Sequence, residues 1–505
     1  MQRRPRSKPK IVIATNGTRG AVEAYAALGL KLKTLSDCQV TIFSNPDHES
    51  LVLYMGLNFA SNGVEARKEY GREMESVLQN SKGHLGRVLY LAYVNQINLK
   101  YQKSIIERLV VLLRTQKPDT CIMGQQHFWD ALWVPHSLGV PCLILAMSPC
   151  AYGFCPFFYQ EIDNQDEWKW SKSMIDWLLL DSYVKNIRKA IGEPTLRALG
   201  ADQLFVRDAN DLMHIFSGKF NDFLRLGIMA DKALHLPHTC YLLGPPPYTP
   251  SAIRGGAQCF GEDAITLAQL DKFIQASKDG PLIYIGWGSM VWAHPARMTQ
   301  LAVEALLLAG CRGIILSGWA NLCADLLQDT DLRKFCQEHI FFAPSLPHAS
   351  LFPKCNVIVH HGGTGTAYTA FRAGIPSVIT PLLHEHSLMA NTVNRLRIGV
   401  GTEHLLSITP NMLSEAITAC LGIGNGTSLL YNCKRLAADL HPHSSSNSKK
   451  DASISLVLDT IRAADEHHGG TYWSNYRSWV QNEQTERSTT ADKRSCFFFC
   501  SSNST

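Results

Sequence analysis

Charge is scarce in this chain, and what there is nearly balances. Charged residues make up 18% of the 505, and the net charge at pH 7 is only +5. Such a balance argues against a nucleic-acid partner, which needs basic residues massed on one face. The cluster Arg3, Arg4, Arg6, Lys8 and Lys10 reads instead as a solvated, flexible tail over residues 1–9. Long apolar runs are missing as well. No stretch reaches the roughly 18 to 20 apolar residues of a membrane span. The run Lys10-Ile11-Val12-Ile13-Ala14-Thr15 is too short for a signal peptide and leads into a glycine turn. Metal-type cysteine spacing is absent too. The 15 cysteines read as reduced thiols of a cytosolic protein, with acylation the alternative for Cys496 and Cys500 in Ser495-Cys496-Phe497-Phe498-Phe499-Cys500. The 46% hydrophobic content is that of an ordinary globular protein, and the length exceeds what one core supports.

What is present is a rhythm, and it occurs twice. Ile11 to Thr15 reads as a strand, Val22 to Lys33 as a helix, and Gln39 to Ser44 as a strand. Leu85 to Arg114 carries a long helical pattern, followed by a strand at Thr120 to Gly124, a helix at Ala131 to Leu138 and a strand at Pro141 to Met147. The pattern returns with strands at Leu282 to Gly286, Gly313 to Ser317, Ile340 to Ala343, Val357 to His361 and Ser377 to Thr380. Alternation of this kind predicts an α/β protein of two Rossmann-like, doubly wound domains. The first covers 10–243 and the second 263–466. The turn-rich 244–262, with Gly244-Pro245-Pro246-Pro247 and Gly255-Gly256, is the linker.

The most informative stretch is His360-His361-Gly362-Gly363-Thr364-Gly365-Thr366. An apolar run precedes it, and a helix reaching to Gly374 follows from Ala367. A strand-to-helix turn aims backbone N–H groups and the positive end of a helix dipole at one spot, which suits a diphosphate. Glycine allows close approach, the histidines can donate to phosphate oxygens, and the threonines add hydroxyls. A tight turn with two structural histidines is the alternative. Within the first domain, 151–243 is rich in aromatics, including Phe154, Phe157, Phe158, Trp168, Trp170 and Trp177. An apolar acceptor pocket, contact with a membrane surface and plain core packing are the readings open there. Residues 467–481 read as a last helix docking back on the first domain, and 482–505 as a disordered tail.

A cleft between two such domains fits an enzyme that uses a nucleotide-sugar donor, and further motifs point to one family. These are Ile283-Tyr284-Ile285-Gly286-Trp287-Gly288-Ser289, Pro347-His348-Ala349-Ser350-Leu351-Phe352-Pro353, Pro381-Leu382-Leu383-His384-Glu385-His386 and Gly17-Thr18-Arg19-Gly20. Together with the glycine turn they resemble the sterol 3-beta-glucosyltransferase branch of the family 1 glycosyltransferases, which have the GT-B fold, over roughly residues 10 to 440. The resemblance implies a UDP-sugar as co-substrate, with no other cofactor and no metal. Ser289, His348 and the loop His360, His361, Gly363, Thr364, Gly365 and Thr366 would hold the uridine and diphosphate. Glu385 and His386 would meet the sugar hydroxyls, and Thr18 and Arg19 would reach the donor from the first domain. The acceptor would be a sterol, terpenoid or other lipophilic alcohol, met in the cytoplasm or at a membrane surface.

Two departures qualify this expectation. Where the family has Asp-Gln at the sugar end, this chain has Glu385-His386. In related plant enzymes a histidine at this place accompanies galactose, so glucose is expected with galactose as the alternative. Where the family turn ends in Asp, its expected general base, this chain has Ala21, and a methyl group takes no proton. Glu23, two residues on along a helix, points away from the face of Ala21. His127 and Asp130, in the loop after Gly124, are the surrogate candidates, although Asp130 also reads as a helix cap. An impaired homologue that only binds lipid or nucleotide is the second hypothesis. An epimerase or phosphorylase on the same fold lacks any motif of its own here. Asp329-Thr330-Asp331 is spelled like a metal motif but reads as a helix cap.

Overall fold

The computed structural model describes residues 8–17, 19–65, 83–124, 134–138, 140–146, 224–228, 241–242, 264–276, 280–290, 294–382, 384–422, 427–440 and 457–458. Within the first domain the strands are β1 (Lys10–Ala14), β2 (Gln39–Ser44), β3 (Asn58–Ser61), β4 (Thr120–Gly124), β5 (Cys142–Ala146), β6 (Leu224–Ile228) and β7 (Tyr241–Leu242). They lie side by side in the order β3-β2-β1-β4-β5-β6-β7, every pair parallel. The second domain contributes β8 (Leu282–Gly286), β9 (Arg312–Leu316), β10 (Ile340–Ala343), β11 (Val357–His360), β12 (Ser377–Ile379) and β13 (Gly399–Gly401). Its order is β10-β9-β8-β11-β12-β13, again all parallel. Each sheet reverses its strand order once, beside β1 and β4 in the first and beside β8 and β11 in the second. These are the doubly wound sheets that the alternating pattern predicts.

Parallel sheets are covered on both faces, so their strands read as continuous apolar runs. Along β8, Ile283 and Ile285 join one buried cluster while Leu282 and Tyr284 join another on the opposite face. Val357 and Val359 of β11 follow the first pair, and Ile358 the second. In the first domain α1 (Arg19–Ser36) buries Val22, Tyr25, Leu28 and Leu32 against Ile11, Ile13, Val40 and Ile42. That spacing is one face of a helix.

Helix α2 (Thr330–His339) shows how local sequence sets a boundary. Its N-cap Asp329 accepts hydrogen bonds from the backbone N–H of Asp331 at 2.7 Å and of Leu332 at 3.2 Å. The Asp-Thr-Asp triplet is thus a cap. Asp329→Ala is expected to cost about 1 kcal/mol and Asp329→Asn much less, as read by the urea unfolding midpoint. The linker at 244–262, the helix at 467–481 and the tail at 482–505 lie outside the described residues. Among the described residues, no helix is long and apolar enough to cross a membrane.

Candidate functional site at the domain seam

In an open parallel sheet, ligands bind beyond the carboxyl ends of the strands where the order reverses. In the second domain that place lies between β8 and β11, whose ends pair His360 with Gly286. The turn after β8 is anchored by Trp287, fully buried, whose Nε1–H donates to Thr380 Oγ1 at 2.8 Å. The backbone N–H of Thr380 donates to His360 O at 2.9 Å. Three strand ends are thereby tied together before the glycine turn begins.

The turn itself is tight. Gly362 has φ +98°, and a Cβ there would meet Ile379 Cγ2 at 2.9 Å and His386 O at 3.1 Å. A Cβ on Gly363 would lie 2.4 Å from His361 Nε2. The Gly362 N–H donates to His360 Nδ1 at 3.1 Å. An imidazole nitrogen that accepts carries no proton, so the His360 proton is on Nε2. Among the described residues, that buried Nε2–H has no partner, and neither has His361 Nδ1.

The helix after the turn, α3 (Thr364–Ala373), starts three residues earlier than the sequence suggests. Gly363 is its N-cap, with no side-chain cap hydrogen bond, and Gly374 at φ 68° closes it. Thr364, Gly365 and Thr366 therefore form its first turn, where backbone N–H groups have no intrahelical acceptor.

Other histidines crowd this turn. His361 meets the ring of His386 edge-on at 4.7 Å. His348 opens a short helix, His348–Leu351, and its Nε2 lies 2.8 Å from the hydroxyl of Tyr284. Burial holds the imidazole of His361 down at about 4. Burial, helped by Arg19 and His361, holds His348 at about 3. Those of His360 and His386 lie well below the usual range for the same reason, and neighbouring histidines push them further. All of them are neutral N–H donors or acceptors near pH 7.

The first domain brings the start of α1 to the same place. The Gly17 turn is held by Asn45, whose Oδ1 accepts from the Gly17 N–H at 2.8 Å, and by His48, whose Nε2 sits 2.9 Å from Gly17 O. Arg19 pairs with Glu23 at 3.3 Å. The guanidinium of Arg19 also acts on His348 in the other domain. A Cβ on Gly365 would lie 3.8 Å from the carbonyl of Gly20, so the first turns of α1 and α3 face each other across the seam.

Of the residues singled out in the sequence, Arg19, His348, His360, His361, Gly363, Thr364, Gly365, Thr366 and His386 gather here. Ser289 sits partly exposed in the turn after β8. Glu385 lies in the first turn of α4 (His384–Leu396) and Ala21 in the first turn of α1. Thr18, His127 and Asp130 lie outside the described residues. Among the described residues, no three His, Cys, Asp or Glu side chains are grouped to hold a metal ion. Tyr284 and Trp287 stood inside the motif quoted for the resemblance but carried no role of their own there, and Thr380, Asn45 and His48 were not singled out.

Residues 325–444 match the model of the C-terminal domain of erythromycin biosynthesis protein CIII-like proteins. The chain is 34% identical over 420 residues to a sterol 3-beta-glucosyltransferase of Debaryomyces hansenii, an alignment covering 80% of this chain and 24% of that protein. It is 24% identical over 424 residues to one of Arabidopsis thaliana, covering 81% and 62% respectively. In Pichia angusta the match is 39% identical over 138 residues, 27% of this chain and 11% of the relative. The chain thus spans less than two thirds of these relatives' own length, from 11% to 62%. Solved structures agree on the fold. A Streptomyces sp. SF2575 glycosyltransferase complexed with thymidine diphosphate superposes with a TM-score of 0.53 at 17% identity, covering 89% of this chain and 99% of that one. The calicheamicin glycosyltransferase gives 0.56 at 13%, covering 92% and 100%. The chain is a homologue of the sterol 3-beta-glucosyltransferases, built on the paired Rossmann-like domains of the GT-B glycosyltransferases.

Proposed function

We propose that this protein transfers a hexose, glucose before galactose, from a UDP-sugar to the hydroxyl of a sterol or other lipophilic alcohol, with inversion. One observation carries the donor half of this reading. The first turns of α1 and α3 face each other beside His360, whose buried Nε2–H has no partner among the described residues. Two positive helix ends and neutral N–H donors suit a diphosphate. The acceptor half draws on the relatives named as sterol 3-beta-glucosyltransferases.

In the reaction the acceptor oxygen attacks the anomeric carbon as the bond to the β-phosphate oxygen breaks. Charge then grows on the leaving UDP, where the α3 N-terminus, Thr364, Thr366 and His360 would receive it. Ser289 and His348 would hold the nucleotide, and Glu385 and His386 the sugar hydroxyls. Arg19, steadied by Glu23, would approach from the first domain. The acceptor proton must go to a base, and Ala21 offers none. His127 and Asp130 are the residues assigned that task.

Purified protein incubated with UDP-glucose or UDP-galactose and a sterol, with products read by mass spectrometry, tests the reading. Steryl hexoside is expected. UDP binding without transfer or hydrolysis would favour the impaired homologue. Ala21→Asp is expected to change turnover by less than about tenfold, whereas His127→Ala or Asp130→Ala should lower it roughly 100-fold or more. A gain of about 100-fold on Ala21→Asp would mark a decayed site instead.

A further inference from the structure

We propose that Tyr284 is a positioning residue for the nucleotide donor: its hydroxyl fixes His348 as the tautomer protonated on Nδ1, leaving that N–H for an acceptor oxygen of the nucleotide. This rests on the UDP-sugar reading above. Tyr284 is on the face of β8 that packs against Phe352, and it is fully buried. Its hydroxyl reaches along β8 over residue 286, where a Cβ would stand 2.3 Å from it. Glycine at 286 is what leaves the phenol room to reach His348 Nε2 at 2.8 Å.

The direction of that hydrogen bond follows from the proton count. If His348 donated from Nε2, the phenolic proton would be left buried without an acceptor among the described residues, which is costly. If Tyr284 donates, both groups are satisfied, and the proton of the neutral imidazole goes to Nδ1. Burial favours this pairing on both sides. It raises the phenol's pKa far above its ordinary value and holds the imidazole at about 3. The ring is also fixed in space. Phe352 stacks on it at 4.6 Å and 16°, and Tyr284 meets it edge-on at 5.3 Å and 81°. Arg19 and His361 are near enough for their charges to act on His348, so the imidazole lies at the seam where the diphosphate would sit. Tyr284 touches no donor atom in this scheme and acts through His348.

A double-mutant cycle on the full chain tests the inference, with UDP affinity read by calorimetry. Tyr284→Phe keeps the ring and removes the O–H, and is expected to weaken UDP binding about tenfold. With saturating acceptor, KM for the UDP-sugar should rise and kcat change little. His348→Asn keeps an amide N–H near the Nδ1 position and has no need of Tyr284. Adding Tyr284→Phe to it should therefore change affinity less than about twofold. Equal losses in both backgrounds would overturn the inference. The tautomer itself can be read without ligand, by long-range proton–nitrogen spectra of protein labelled in its histidines. The His348 signal, assigned by its loss in His348→Asn, should show the proton on Nδ1, and an Nε2–H pattern would overturn the inference. Wild-type protein with that tautomer but no affinity for UDP would refute the donor reading while leaving the Tyr284 lock in place.

Discussion

Gly363→Ala is expected to weaken UDP binding roughly 100-fold or more while leaving the protein folded. The added Cβ would fall 2.4 Å from His361 Nε2, well inside van der Waals contact. His361 cannot swing clear. It is 9% exposed, and His386 stands edge-on to its ring at 4.7 Å. The turn must move instead, and the first turn of α3 moves with it. Overpacking of this kind costs about 1–3 kcal/mol in stability. A displacement near 1 Å at a preorganised site costs about 100-fold in function. Gly365→Ala is the control, since its Cβ would make only an ordinary 3.8 Å contact with Gly20 O. Calorimetric titration of UDP into both variants, with circular dichroism to confirm folding, decides the matter. Wild-type affinity in Gly363→Ala would remove the turn from the donor site.

Acid should destabilise the second domain steeply. His361 titrates at about 4 in the folded protein against 6.5 in the unfolded chain, because burial disfavours its cation. His348 titrates at about 3, and burial pushes His360 and His386 well down as well. Between the folded and unfolded values the unfolded state binds more protons, so stability rises with pH across that window. It is complete above about 6.5 and is lost as the pH falls toward about 4 for His361 and further for His348. Each buried imidazole contributes a slope of up to about 1.4 kcal/mol per pH unit. The guanidinium of Arg19 reinforces the effect at His348, and the neighbouring histidines reinforce it at His360 and His386. Urea midpoints at pH 7.5, 6 and 5 should fall sharply, and His361→Gln should flatten the slope. Midpoints that do not change over this range would mean the cluster is hydrated in the folded state.

The sheets were legible because parallel strands buried on both faces spell themselves as apolar runs. Leu282–Gly286 and Thr120–Gly124 were read to the residue. The start of α3 was not. Thr364-Gly365-Thr366 has little intrinsic helix preference, and the helix begins there because Gly363 takes the cap position. The glycine turn announced itself through its punctuation, whereas its supports did not. Tyr284 and His348 are 64 residues apart, and Trp287 and Thr380 are 93 apart. No local pattern links such pairs, and a tyrosine or tryptophan in an apolar run reads simply as core. His127 and Asp130 fall in 125–133, outside the described residues.

The meeting of Gly20 and Gly365 has a mechanical side. A Cβ at Gly20 would find open space, and one at Gly365 would just graze the opposite carbonyl. Where these helix ends face each other, neither glycine has a side chain to interlock with the other domain. A joint of that kind slides with little friction, and its clearance is set by bare backbone. Entry of a nucleotide and closure over it would then require no repacking between Gly20 and Gly365, only a change in their spacing.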